Sequence, residues 1–213
     1  GEEIAAFAVL SDTHVSPTQP AFTANFQATL ADIASVLPGG DIIIAGDCID
    51  GTAPDAEDGT IGPVVEWNYI EQLVGSVEGL GEVYYALGNH DLYKNNNPGD
   101  WATVVKPYQD LMGLTGGTVW YSVKTGGVWQ IVLGSQGSYG DKVSTELRQD
   151  QLDWLESELD RIAAEDPSTP VFVYLHQPMT DTTAGTLPGQ GWNHVLTGDE
   201  TWGEVRLKKI MDE

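Results

Sequence analysis

Residues 82–91, Glu82-Val83-Tyr84-Tyr85-Ala86-Leu87-Gly88-Asn89-His90-Asp91, pass from an aromatic-rich stretch into a polar turn. The first six read as a β-strand, because aromatic and β-branched side chains pack well on a pleated surface. The last four carry possible chemistry. Glycine lets backbone come close, an Asn amide oxygen can ligate a hard cation, a His can ligate or move a proton, and an Asp can orient either. Asn, Gly and Asp are also ordinary turn residues. Partners elsewhere in the chain therefore decide how Gly88–Asp91 is read.

Three other stretches repeat this order of strand and then polar cluster. Ile4 to Leu10 is a continuous apolar run, the pattern of a strand buried on both faces, and it ends in Ser11-Asp12-Thr13-His14. Asp41 to Ala45, with Ile42-Ile43-Ile44 at its centre, runs into Gly46-Asp47-Cys48-Ile49-Asp50. Val171 to Leu175 ends in His176-Gln177-Pro178. Helical spacing fills the gaps. Ala21 to Leu37 places Phe22, Phe26, Leu30, Ile33 and Leu37 on one stripe before Pro38-Gly39-Gly40 stops it. Pro63 to Val77 opens on a proline suited to a first turn and aligns Val65, Tyr69, Leu73 and Val77. Strand-helix-strand repeats imply parallel strands and right-handed crossovers, and ligands of such sheets gather at the carboxyl ends of strands.

Further along, a helix is predicted around Asp100 to Met112. A hairpin follows from Thr118–Val123 and Val128–Leu133, joined by Lys124–Gly127. A long helix, Thr145 to Glu165, carries Leu152, Leu155, Leu159 and Ile162 on one stripe, and Thr201 to Met211 reads as a closing helix.

Composition limits the function classes. The 213 residues suit a single domain with a proper core, and a hydrophobic share of 41% with seven Trp and eight Tyr is globular. No apolar run is long enough to span a membrane. The formal charge of -23 repels nucleic-acid backbones and anionic membranes, so a nucleic-acid partner is disfavoured and an anionic substrate would need a local cation. The same acidity leans toward a secreted or cell-envelope setting over a cytoplasmic one. No signal peptide is legible at the N-terminus. The single cysteine, Cys48, excludes an internal disulfide framework and a thiolate zinc cluster, and reads as a buried bystander. No pattern in the chain specifies an oligomeric state.

The chain has four histidines, and three of them, His14, His90 and His176, lie in the clusters that follow strands. Asp, Asn and His without thiolates suit borderline divalent metals such as Mn, Fe, Zn, Co or Ni. A shared carboxylate can bridge two cations roughly 3.5 to 4 Å apart, a geometry that activates water for in-line attack on phosphorus. Such cations would also let an acidic protein bind a phosphate ester.

Asp12-x-His14, Gly46-Asp47-x-x-Asp50, Gly88-Asn89-His90-Asp91 and His176-x-Pro178, in this order, resemble the calcineurin-like metallophosphoesterase family over nearly the whole chain. The resemblance implies a four-layer α/β/β/α sandwich with two mixed sheets, and two divalent metal ions. Asp12, His14 and Asp47 would hold the first, and Asp47 as bridge with Asn89 and His176 the second. Asn89 and His90 would face the scissile phosphate, His90 protonating the leaving alkoxide and Asp50 orienting it. The activity implied is hydrolysis of a small-molecule phosphomonoester or phosphodiester.

The chain departs from the family pattern in three places. Asp50 is followed by Gly51, where protein Ser/Thr phosphatases have an arginine. Position 50 is not the tyrosine of purple acid phosphatases, so a tyrosinate-iron centre is not expected. The Gly-His-x-His motif that supplies further ligands in the family is absent. His194, in Trp192-Asn193-His194-Val195, reads instead as a loop residue. The chain is accordingly expected to be the amino-terminal part of a longer protein. The competing expectation is a non-catalytic binding or surface module with an incomplete metal centre. Specificity would rest on loops Gly51–Gly62, Asn95–Pro107, Ser135–Ser144 and Thr180–Thr197. There, Trp101, Tyr139 and Trp192 could stack on a base or sugar or simply cap the core.

Overall fold

The computed structural model describes residues 5–139, 142–180, 182, 196 and 198–212. Strand β1 (Phe7–Leu10), helix α1 (Pro20–Val36), strand β2 (Asp41–Ala45), helix α2 (Gly62–Gly75) and strand β3 (Val83–Ala86) form two successive crossover units. Their strands pair in parallel in the order β1-β2-β3. A 3-10 turn (His90–Leu92) and a small ribbon, β4 (Tyr93–Lys94) with β5 (Asn97–Pro98), lead into helix α3 (Trp101–Met112). Asp100 caps α3 by accepting the Thr103 amide at 3.2 Å. Strands β6 (Tyr121–Thr125) and β7 (Val128–Val132) make the expected hairpin. Gly126 and Gly127, with φ of 58° and 81°, form its two-residue turn, the backbone that matches strand twist.

A second ribbon, β8 (Gln136–Tyr139) with β9 (Lys142–Glu146), precedes helix α4 (Gln149–Glu165). Strand β10 (Val171–Tyr174) pairs in parallel with β7, giving a mixed sheet ordered β10-β7-β6. A short strand β11 (Gly198–Asp199) and helix α5 (Gly203–Asp212) complete the described chain.

Alternation along the strands builds the layers. In β2, Ile42 and Ile44 point to α1, α2 and α3, packing with Phe26, Leu30, Trp67 and Tyr108. Ile43, between them, faces the other way and packs with Ala86, Val132 and Tyr174, which joins the two sheets face to face. In the second sheet, Ile131 and Leu133 point outward onto Leu152, Leu155 and Ile162 of α4 and Leu207 of α5. The order is therefore helices, sheet, sheet, helices, a four-layer α/β architecture. Among the described residues no helix is long and apolar enough to cross a membrane.

Three expectations change. β1 is not buried on both faces: Val9 is 50% exposed, and among the described residues the strand lies at the edge of its sheet beside β2. The inward face of α2 is not Val65-Tyr69-Leu73-Val77 but Glu66, Trp67, Ile70 and Leu73. A carboxylate on the buried face conceals that stripe from a hydrophobic pattern. Residues 145 and 146, the predicted start of α4, instead end strand β9, and α4 begins at Gln149. Trp101 packs against the first core, which leaves it capping apolar side chains. Trp192 and His194 lie outside the described residues.

Truncation of the inter-sheet contact should be costly. Ile43→Ala, at a fully buried position, is expected to lower the stability measured by urea unfolding by about 2 to 5 kcal/mol. A loss under about 1 kcal/mol would contradict the packing of the two sheets through this layer.

Candidate metal centre

The four polar clusters meet where the carboxyl ends of both sheets converge. Beyond β1 and β2 the backbone continues as a ladder. The amides of Asp12, His14 and Val15 donate to the carbonyls of Gly46, Asp47 and Cys48 at 3.1, 3.0 and 3.0 Å. Along this ladder Asp12, His14 and Asp47 all sit at positive φ, 55°, 45° and 49°. A left-handed backbone costs a non-glycine residue about 1 to 2 kcal/mol, and such strain concentrates at functional sites. Here it turns the Asp12, His14 and Asp47 side chains into one cavity.

The third turn is tied to the second. Asp91, fully buried, accepts the Ile49 amide at 3.0 Å and the Gly88 amide at 2.6 Å. The His90 amide donates to Asp47 Oδ1 at 2.8 Å. Glycines permit the close approach. A Cβ on Gly46 would lie 2.5 Å from the His176 ring, and one on Gly88 would lie 2.3 Å from Asp47 Oδ1.

The resulting cavity, about 320 Å³, is lined by Asp12, His14, Asp47, Asn89, His90, His176, Gln177 and Pro178. Six of the seven side chains singled out in the sequence thus share one space. The seventh, Asp50, stands behind it, 3.3 Å from His14 Nδ1 and 3.9 Å from His90 Nδ1. His14 Nδ1 is buried and, despite that proximity, makes no hydrogen bond. The nearest acceptor for His90 Nδ1 is the Asp50 carbonyl at 2.9 Å, while the Asp50 carboxylate takes Gln19 Nε2 at 3.1 Å and Thr52 Oγ1 at 2.6 Å. His90 is thus oriented by backbone, and the carboxylate sits closer to His14.

Among the described residues, two sets of ligand atoms can each close on a cation: His14 with Asp47 and His90, and Asp12 with Asp47 and His176. Within each set the atoms lie within 4.8 Å of one another. Asp47 belongs to both. The sets distribute the residues differently from the arrangement that the family resemblance implies, pairing Asp12 with His176 and bringing His90 beside His14. The shared carboxylate is common to the two descriptions.

Electrostatics fit a cation. Burial pushes the Asp47 carboxyl up, but the hydrogen bond and charge of His176, 3.3 Å away, outweigh burial and hold it below its ordinary value. Desolvation pulls the His176 imidazole down, and Asp47 reverses this to about 9. His176 Nε2 faces Asp47 Oδ2 at 3.3 Å, within the set of ligand atoms that could close on a divalent ion. Its Nδ1 donates to the Ala45 carbonyl at 3.0 Å, the arrangement that frees Nε2 for a metal. Burial, followed by the Asp47 charge, raises the Asp91 carboxyl. Carboxylate, imidazole and amide donors with glycine cradles fit a borderline divalent ion.

Cys48 is fully buried, and burial raises its thiol well above the ordinary value, so it is inert. Sequence patterns did not single out Gln177, whose Nε2 donates to Asn89 Oδ1 at 3.2 Å and whose Oε1 accepts from Ser135 Oγ at 2.6 Å. Nor did they single out Glu66. The only signal for Gln177 was its place between His176 and Pro178, and Glu66 carried none beyond an acidic residue on an otherwise apolar helix face.

Comparison with known proteins follows the same lines. A family model described as calcineurin-like phosphoesterase matches residues 5–209. No curated protein matches the chain significantly. Among solved structures, the chain is similar to a purple acid phosphatase isolated from yellow lupin (Lupinus luteus) seeds, with 14% identity and a TM-score of 0.56. The likeness covers 91% of this chain and 34% of that one, so the chain spans about a third of that protein's length. At this identity the likeness speaks to fold alone.

The glycine cradle offers a direct test. Gly88→Ala places a methyl against Asp47 and is expected to weaken Mn(II) binding, read by titration calorimetry, at least roughly tenfold while the far-UV circular dichroism stays native. Parental affinity would contradict the placement of Asp47 in the cation site.

Proposed function

The chain belongs to the calcineurin-like phosphoesterase family, and on that premise we propose that it hydrolyses a phosphomonoester or phosphodiester at two divalent cations held by Asp12, His14, Asp47, Asn89 and His176. The observation that carries this reading is Asp47, 3% exposed and common to both sets of ligand atoms. Mn, Fe, Zn, Co and Ni all suit the donor set.

When bound, the cations supply Lewis-acid activation of water and offset the charge of the phosphate. The remaining work falls to the chain's own groups. The Asp50 carbonyl is only an acceptor, so His90 carries a proton on Nδ1 and keeps Nε2 for the substrate side of the ring. From there the imidazolium can offset charge on the phosphate and give its proton to the departing alkoxide. Gln177, held by Ser135, donates to Asn89 Oδ1 and fixes that amide at the edge of the cavity. Tyr93 packs edge-on against His90 with ring centroids 5.2 Å apart, which limits rotation of the imidazole.

The test is turnover of an aryl phosphate and of its bis-ester with added Mn(II), the two substrates separating monoesterase from diesterase. His90→Ala is expected to lower kcat by roughly 10² to 10⁴-fold with cations retained. Asp47→Ala is expected to lose the cations themselves, read by elemental analysis. Bound cations without turnover of either ester would overturn the proposal in favour of a binding module.

A further inference from the structure

Among the described residues a further carboxylate is buried away from the cavity: Glu66 on α2, with no exposed surface. Removing a charge from water is costly unless hydrogen bonds replace its hydration. Glu66 has such bonds. Its Oε2 accepts the Gly51 amide at 3.0 Å, and its Oε1 accepts the amides of Thr52 and Ala53, both at 3.2 Å. Three consecutive backbone donors converge on one side chain. Only an acceptor-only group can answer them all, since a glutamine would turn its own N–H against a backbone N–H.

The first of these donors matters most. The Gly51 N–H and the Asp50 carbonyl are the two ends of one planar peptide unit, and fixing the direction of one end fixes the other. Glu66 holds the N–H end, and His90 Nδ1 donates to the carbonyl end at 2.9 Å. A carboxylate on the donor end polarises the peptide and strengthens the carbonyl as an acceptor. Packing locks the plane in place. Gly51 has φ of 71°, its missing Cβ would lie 2.5 Å from Tyr93 Cβ and 2.7 Å from the His90 carbonyl, and its own carbonyl accepts the Asn96 amide at 2.9 Å. The Asp50 carboxylate is a poorer orienter, 3.9 Å from His90 Nδ1 and engaged by Gln19 and Thr52.

We propose that Glu66 is a positioning residue for His90, acting through the Asp50–Gly51 peptide to hold the proton on Nδ1 and Nε2 toward the substrate. The consequence for catalysis rests on the reading of His90 as the acid; the consequence for the imidazole does not. A proton donor matters most when the leaving group is poor, so loss of Glu66 should show in the dependence on leaving group rather than as a uniform loss.

The experiment compares the full chain with Glu66→Gln, Glu66→Asp and, as a control on the same helix, Ile70→Val. In metal-free protein, the His90 Nδ1 proton is followed by NMR, assigned by its loss in His90→Gln. Its protection from exchange is expected to fall about tenfold in E66Q, less in E66D, and not in I70V. With Mn(II) present, E66Q is expected to slow an alkyl phosphate ester roughly tenfold or more and a dinitrophenyl ester less than about threefold, at unchanged metal content. E66D keeps an acceptor-only group and serves the same comparison if E66Q does not fold. Unchanged Nδ1 protection in the Glu66 variants, or equal slowing of both esters, overturns the proposal. If no ester is turned over, the phosphoesterase reading fails and the NMR comparison still decides Glu66.

Discussion

A carboxylate buried among imidazoles is the condition on which the rest of this site depends. Asp47 is 3% exposed, accepts the His90 amide through Oδ1, and turns Oδ2 toward His176 at 3.3 Å and His14 at 3.9 Å. A charge in that position is tolerated only with a counter-charge, and removing the partner of a buried ion typically costs several kcal/mol. The local backbone answers to this demand. Left-handed turns at Asp12, His14 and Asp47 aim donors inward, and glycines 46 and 88 leave room that a single Cβ would fill. Strain and missing side chains lower stability by themselves. Together they make sense as the cost of holding several lone pairs at a common point, which binding of the proposed divalent ions would offset.

The distribution of charge sets a boundary on this argument. Acidic excess alone does not make a site, and most of the chain's carboxylates are spread over the surface. The basic residues are largely held there as well, as in Lys124 with Asp166 and Arg161 with Glu158 and Glu165. Such exposed pairs contribute little, typically below about 1 kcal/mol each. Among the described residues the cavity itself is lined by carboxylates, imidazoles and neutral amides, with no lysine or arginine.

Much of the candidate site's layout was legible in the sequence because chemistry and topology coincide. Parallel strands put their carboxyl ends together, so the clusters following β1, β2 and β3 had to be neighbours once that sheet was recognised. Helices α1 and α4 announced themselves by their apolar stripes, and α1 also by the Pro38-Gly39-Gly40 stop. What escaped has a physical reason in each case. The buried face of α2 escaped because Glu66 breaks the apolar stripe while serving as a loop anchor. Exposure of Val9 escaped because an apolar run does not tell an edge strand from a central one. The role of the Asp50 carbonyl escaped because every residue has a carbonyl, and side-chain patterns say nothing about which one turns toward an imidazole. That His176 comes from a second sheet also lay beyond local pattern, since strand periodicity is the same in either sheet.

The split between sheets gives the core a functional meaning. His14, Asp47 and Asn89 hang from the first sheet and His176 from the second, so the distance between these candidate ligands is set by how the sheets stack. Ile43, Ala86, Val132 and Tyr174 fill that interface, and close-packed layers resist displacement because any gap forfeits dispersion contacts. Polar ties reinforce the stack beside the site. The Ser135 amide donates to the Leu87 carbonyl at 2.8 Å, and Ser135, Gln177 and Asn89 form a hydrogen-bonded chain from one sheet to the other. Catalytic geometry tolerates errors of about 0.5 Å. On this view the apolar layer between the sheets and the buried carboxylates Asp47, Asp91 and Glu66 serve one purpose: the first fixes the distance between halves of the site, and the others fix the direction of each group within its half.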